Sequence, residues 1–188
     1  MFQIGCVMLL IGAMMCSVRK ALRLQQHKIV NSLLWVVFLV YTTGFLYFTV
    51  FSRRVGSGAF VELRPFQVYT RLFADPIDAG DAAIGFSAKF LNNTPPIVGL
   101  ILNILLYYPL GYLLPILFPK LKTKHVILIG CLCSIATEAT QYLLKMGWCE
   151  TDDVIHNTFG TAIGVWVWLW QSRRLNVQKS ANPGKGET

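Results

Sequence analysis

The sequence predicts an all-α membrane protein, a bundle of about five transmembrane helices with one long extracytoplasmic loop. Three observations lead there. Of 188 residues, 54% are hydrophobic and only 14% charged, too apolar a balance for a soluble domain of this length. Five apolar runs approach the length that crosses a bilayer as a helix, namely 2–18, 29–51, 97–118, 125–144 and 154–170. Finally, eleven of the 17 Lys and Arg residues sit in three segments, 19–28, 119–124 and the tail after 171, which fall on one side of such a chain. The excess of basic residues assigns that side to the cytoplasm, with the N-terminus outside and the C-terminus inside. Seven of nine acidic residues fall in the two opposite loops.

Residues 1–51 read as two N-terminal helices. The first run resembles the apolar core of a signal peptide in length, but no basic residue precedes it and no small-residue cleavage site follows, so it is taken as a helix. Residues 52–96 form the long extracytoplasmic loop, rich in Gly, Pro and Asp. Its stretch FVELRPFQVYTRLF (60–73) is amphipathic, which suits a segment lying over the helix ends with Phe66 buried against them. Residues 97–171 carry three helices with a polar core. In the first of these, Pro109, Gly111 and Pro115 predict a break, because proline removes a backbone donor inside a helix. Residues 172–188 read as a disordered cytoplasmic tail, and Trp166, Trp168 and Trp170 before it suit the headgroup region.

The polar residues inside the apolar runs are the informative ones. Glu138 lies within an apolar stretch, where a carboxylate is costly and marks a functional site by default. Ser134, Glu138 and Gln141 share an arc of roughly 60° on one helical face, since each residue turns a helix by about 100°. Asp153, Asn157, Gly160 and Gly164 share a face of the next helix, and Asn103 and Tyr107 are one turn apart on the third apolar helix. At 1.5 Å per residue, Asn103, Glu138 and Asn157 lie about 6–9 Å below the same bilayer surface. Polar groups on three helices at one depth are placed to satisfy one another. Gly160 and Gly164 form a small-xxx-small pattern that permits close helix approach.

Other classes are excluded or given no support. The net charge of +8 is spread over loops without interleaved aromatic residues, so no nucleic-acid partner is expected. The five cysteines form no CxxC pair, which gives neither a disulfide framework nor a zinc site, and Cys149 reads as an incidental thiol. Asp152, Asp153 and His156 lie within about one helical turn, but acids at a helix start are favourable without a metal. No metal and no cofactor is assigned.

Taken together, NILLYYPLGYLLP (103–115), SIATEATQ (134–141) and TDDVIHNTFGTAIG (151–164) resemble the VanZ-like family in order and spacing, over roughly residues 60–170. That family's outer-loop Leu-x-Pro-Phe motif is matched by Leu63, Arg64, Pro65 and Phe66, with Glu62 where an Asn usually stands. A basic residue common before the Asp-rich turn is replaced by the stretch Trp148, Cys149, Glu150. The resemblance implies a bacterial cell-membrane protein of the envelope, in a family named for resistance to the glycopeptide teicoplanin. It implies no reaction.

Three functions follow as expectations. The first is a binding module, in which Asn103, Tyr107, Ser134, Glu138, Gln141, Asp153 and Asn157 form an outward-facing pocket roofed by residues 62–66. Arg64 is there available to an anion, and the ligand is an envelope lipid, a cell-wall precursor or a lipoglycopeptide. The second is a structural network of hydrogen bonds without a ligand. The third is an enzyme acting on an envelope lipid with Glu138 as general acid or base, although no nucleophile elbow, phosphate loop or HExxH pattern accompanies it. Oligomeric state has no signal in the sequence.

Overall fold

The computed structural model describes residues 27–73 and 94–181, with side chains described for 31–70 and 97–174. The first predicted helix, residues 2–18, and the acidic part of the long loop around Asp75–Asp81 lie outside the described residues. Among the described residues, four long helices make the bundle: α1 (His27–Leu46, continued by a π-helical turn, Tyr47–Phe51), α3 (Thr94–Leu117), α4 (Thr123–Leu143) and α5 (Thr151–Ala181). A short helix α2 (Gln67–Phe73) and two strands, β1 (Gly58–Glu62) and β2 (Met146–Glu150), gather at one end. Among the described residues, three helices are long and apolar enough to cross a membrane, over Asn31–Phe51, Ile97–Leu117 and Thr123–Leu143.

Hydroxyl groups within the apolar helices satisfy themselves locally. Thr42, Thr43, Thr49 and Ser52 in and after α1, Thr137 and Thr140 in α4, and Thr158, Thr161 and Ser172 in α5 each donate to the carbonyl four residues earlier. Their donors therefore need no water in hydrocarbon.

The expected break in the third apolar helix does not occur. α3 starts at Thr94, with Pro95 and Pro96 in its first turn, where the missing N–H groups would be unpaired anyway. It then runs on through Pro109 and Pro115. Neighbours enclose this stretch: the Tyr41 hydroxyl donates to the Leu106 carbonyl at 2.9 Å, next to the carbonyl that Pro109 leaves without its helical donor. Tyr107, Leu110, Leu114, Val126 and Val165 form one buried apolar cluster, and Leu34, Tyr112 and Leu113 a second.

α3 and α5 pack with their backbones almost in contact. A Cβ on Gly160 would overlap the Ile104 carbonyl, and one on Gly111 would overlap the Thr161 carbonyl. Such a crossing needs small residues on both helices, which Gly160 and Gly164 supply from one side and Gly111 from the other. This approach holds α5 at the depth of α3 along its length. α5 also continues helical to Ala181, past residue 172 where the sequence predicts a disordered tail. Trp166 and Trp170 are exposed, and the Arg174 guanidinium lies 3.9 Å from the Trp170 ring centroid.

The two strands depart from the all-α expectation. β1 leaves the end of α1 and β2 leaves the end of α4, so both strands head the same way and pair in parallel, Gly58 opposite Met146 through Glu62 opposite Glu150. The connection between them is the whole α2–α3–α4 segment, which supplies the long crossover that a parallel pair requires. Lys145 (φ 54°) and Gly147 (φ 117°) take left-handed conformations that turn the chain out of α4 into β2. Phe60 stacks on Trp148 with ring centroids 5.0 Å apart.

Candidate functional site

At the end of the bundle that carries the strands, polar residues from α1, α3, α4 and α5 line one cavity of about 180 Å³. Asn103 and Tyr107 come from α3, Gln141 and Glu138 from α4, and Asp153 and Asn157 from α5. Periodicity places each pair on one helical face. The close α3–α5 packing and the common depth then turn those faces toward one another. Ser134 joins from below, where its hydroxyl oxygen receives a 2.8 Å hydrogen bond from the Asn157 amide.

Three further polar residues complete the wall, Thr137 of α4, Thr49 and Arg53, and sequence reasoning missed all three. Thr49 sits in the π-helical turn that ends α1, and its carbonyl accepts a 3.0 Å hydrogen bond from Gln141 Nε2. Arg53 follows two residues after that turn, in the connection to β1, and faces Glu138 and Asp153. The available signal was position: Arg53 lies just beyond the end of an apolar run, on the same side of the bundle as the buried acids. Arg64, the expected anion partner, lies elsewhere; it is exposed, and its backbone N–H donates to Glu62 Oε1 at 3.2 Å.

The direction of the hydrogen bonds can be worked out from the partners. Thr137 spends its proton on the Cys133 carbonyl at 2.9 Å, so across the 3.2 Å contact Tyr107 donates to Thr137. The Glu150 backbone N–H donates to Glu138 Oε2 at 3.0 Å, and Asn103 lines the cavity with Asp153. Glu138 is 4% exposed, Gln141 2% and Asn157 3%. Yet Gln141 Oε1 and Asn157 Oδ1 are buried without a hydrogen-bond partner, as is His156 Nδ1 outside the cavity. Leaving such a group unpaired costs about 1–3 kcal/mol, so a network that existed only to hold the bundle would be expected to pair them.

Glu138 also lines a second, open groove of about 450 Å³, walled mostly by apolar side chains including Val61, Leu63, Ile135, Ala139 and Val154. A polar cavity and an apolar groove thus share the Glu138 side chain. The loop after β1 contributes Leu63 to the groove rather than a roof to the cavity.

That loop is docked through its backbone. Phe66 is 56% exposed, against the expectation that it is buried. Its φ of 66° turns the chain so that the N–H groups of Phe66 and Val68 both point at the Asp152 carboxylate, with the Val68 bond at 2.8 Å. Val68, not Phe66, is the buried apolar contact. Tyr69 completes the attachment through a 3.0 Å hydrogen bond between its hydroxyl and His156 Nε2. Asp152 and His156 are therefore engaged in docking α2, and among the described residues no group of three His, Cys, Asp or Glu is placed to hold a metal ion. In β2, burial pushes the Cys149 thiol above its ordinary pKa, with the nearby Glu138 charge adding to the effect. It stays protonated and a poor nucleophile.

These features define a class: a mostly helical membrane protein whose apolar helices enclose a polar cavity near one end of the bundle. The VanZ/LLP1 family model matches residues 29–172, and the chain belongs to that family. Comparison with curated proteins and with solved structures finds no match.

Proposed function

We propose that the chain is a binding protein of the bacterial cell envelope, with the cavity at the outer side of the membrane. The polar part of an amphiphilic ligand enters the cavity and its apolar part lies in the groove beside Glu138. Envelope lipids, cell-wall precursors and lipoglycopeptides all have that shape, and sequestering one of them is a route to glycopeptide resistance of the teicoplanin type. One observation carries the reading: the network opens onto a cavity and leaves Gln141 Oε1 without a partner, as a ligand site would. At about 180 Å³ the cavity is smaller than the roughly 300–1,000 Å³ that encloses a drug-sized molecule, so it holds a head group and not a whole amphiphile.

The Glu138→Gln variant tests this. A purely structural carboxylate is replaced without loss, because the amide keeps the shape and removes a buried charge. Under the binding reading the variant unfolds in detergent at a temperature equal to or above that of the wild type, but fails to restore the envelope phenotype of a deletion strain. Full restoration by a stable Gln variant overturns a functional role for the carboxylate.

A further inference from the structure

We infer that the cavity takes a primary ammonium group, and that the ligand is an amine-headed membrane lipid; this rests on the binding reading above. The unmet hydrogen-bonding capacity of the cavity is on the acceptor side. Gln141 cannot be turned over to change this, because its Nε2 donates to the Thr49 carbonyl, a group that only accepts. Its Oε1, buried and unpartnered, is therefore an acceptor that waits for a donor. The protons of Tyr107 and Thr137 are already used, on Thr137 and on the Cys133 carbonyl.

Charge points the same way. Among the described residues, Arg53 is the one basic side chain lining the cavity, against two carboxyl groups, Glu138 and Asp153. A ligand that brings both positive charge and several donors satisfies the second carboxylate and the free acceptor together. A primary ammonium has three N–H donors on a compact centre. A quaternary ammonium has the charge but no donor, and a glycerol head has donors but no charge. Glu138 lines the apolar groove as well as the cavity, so a lipid whose amine reaches Glu138 has its acyl chain placed along Ile135, Ala139 and Val154.

The experiment uses the full-length protein in neutral detergent and three lipids with the same acyl chains: phosphatidylethanolamine, phosphatidylcholine and phosphatidylglycerol. Native mass spectrometry reads retention and thermal unfolding reads stabilisation. Phosphatidylethanolamine is expected to bind about tenfold or more tightly than the other two, the effect of one charge-assisted hydrogen bond set. The Asp153→Asn variant is expected to lose that preference while remaining folded. Equal or tighter binding of phosphatidylglycerol overturns the ammonium assignment and leaves the binding reading standing, and equal binding of phosphatidylcholine overturns the requirement for donors. Competition with glycerophosphoethanolamine separates the sources of the amine: no displacement at equal concentration assigns a lipid, and full displacement overturns the groove as the seat of the chain. Failure of every lipid and of glycerophosphoethanolamine to bind removes the binding reading itself.

Discussion

One carboxylate, Asp152, holds the start of α2 against the bundle through two hydrogen bonds. Its two oxygens accept from the N–H groups of Phe66 and Val68, which would otherwise be unpaired at the start of α2. Removing it leaves a buried Val68 beside donors with no partner. Asp152→Ala is expected to cost about 2–3 kcal/mol, in the range of a hydrogen bond to a charged group. The loss should be local: limited proteolysis cuts residues 52–73 faster, while thermal unfolding of the helices shifts by less. Unchanged cleavage would show that Val68 packing, the Tyr69–His156 hydrogen bond and the strand pairing hold the segment without Asp152. The expected burial of Phe66 failed for the same reason that this prediction is possible. Polar backbone groups, and not the largest apolar side chain, determine how the segment sits.

At the scale of elements, the α3–α5 contact sets the geometry of the site, since Asn103 and Tyr107 on one helix and Asp153 and Asn157 on the other line one cavity. Gly160 stands against the Ile104 carbonyl with no room for a Cβ. Gly160→Val must therefore push the helices apart, at a cost of about 1–3 kcal/mol or more for overpacking. The expected result is a lower unfolding temperature in detergent and a weaker wild-type phenotype, because the polar faces separate. Gly99, where a Cβ would meet nothing within 4 Å, is the control in the same bundle. Gly99→Ala is expected to be neutral or stabilising by up to about 1 kcal/mol through helix propensity. Equal damage from both substitutions would remove close packing as the explanation.

For the whole molecule, the outstanding question is which end faces out. The cavity end carries Arg53, Arg54, Arg64, Arg71 and Lys145, whereas Lys28, Lys120, Lys122, Lys124, Arg173, Arg174 and Lys179 lie at or beyond the opposite ends of their helices. The basic bias argues for that second end in the cytoplasm and the cavity outside. A Cys substituted at Ser57, an exposed position beside β1, is expected to react with a membrane-impermeant thiol reagent on intact cells. A Cys at Thr123, where α4 begins, is expected to react only after lysis. Both substitutions are made in a background whose native cysteines, Cys149 of the open groove included, are replaced by Ser. The reverse labelling pattern would place the cavity on the cytoplasmic side and end the proposed access to envelope ligands.

The sequence by itself determined the membrane class, the family, and the faces on which Ser134, Glu138, Gln141, Asp153 and Asn157 lie. Those properties are local: apolar run length and a 100° step per residue are complete within one helix. The tertiary structure alone decided that Arg53 and Thr49, and not Arg64, finish the cavity, that residues 58–62 pair with 146–150, and that Asp152 docks the segment at α2. It also decided that α3 runs straight through Pro109. Each of these depends on partners far apart in the chain, such as Gln141 on Thr49, 92 residues away, or Val68 on Asp152, 84 residues away. Periodicity fixes which way a side chain points from its own helix, but which group it meets there is set by the packing of the other helices.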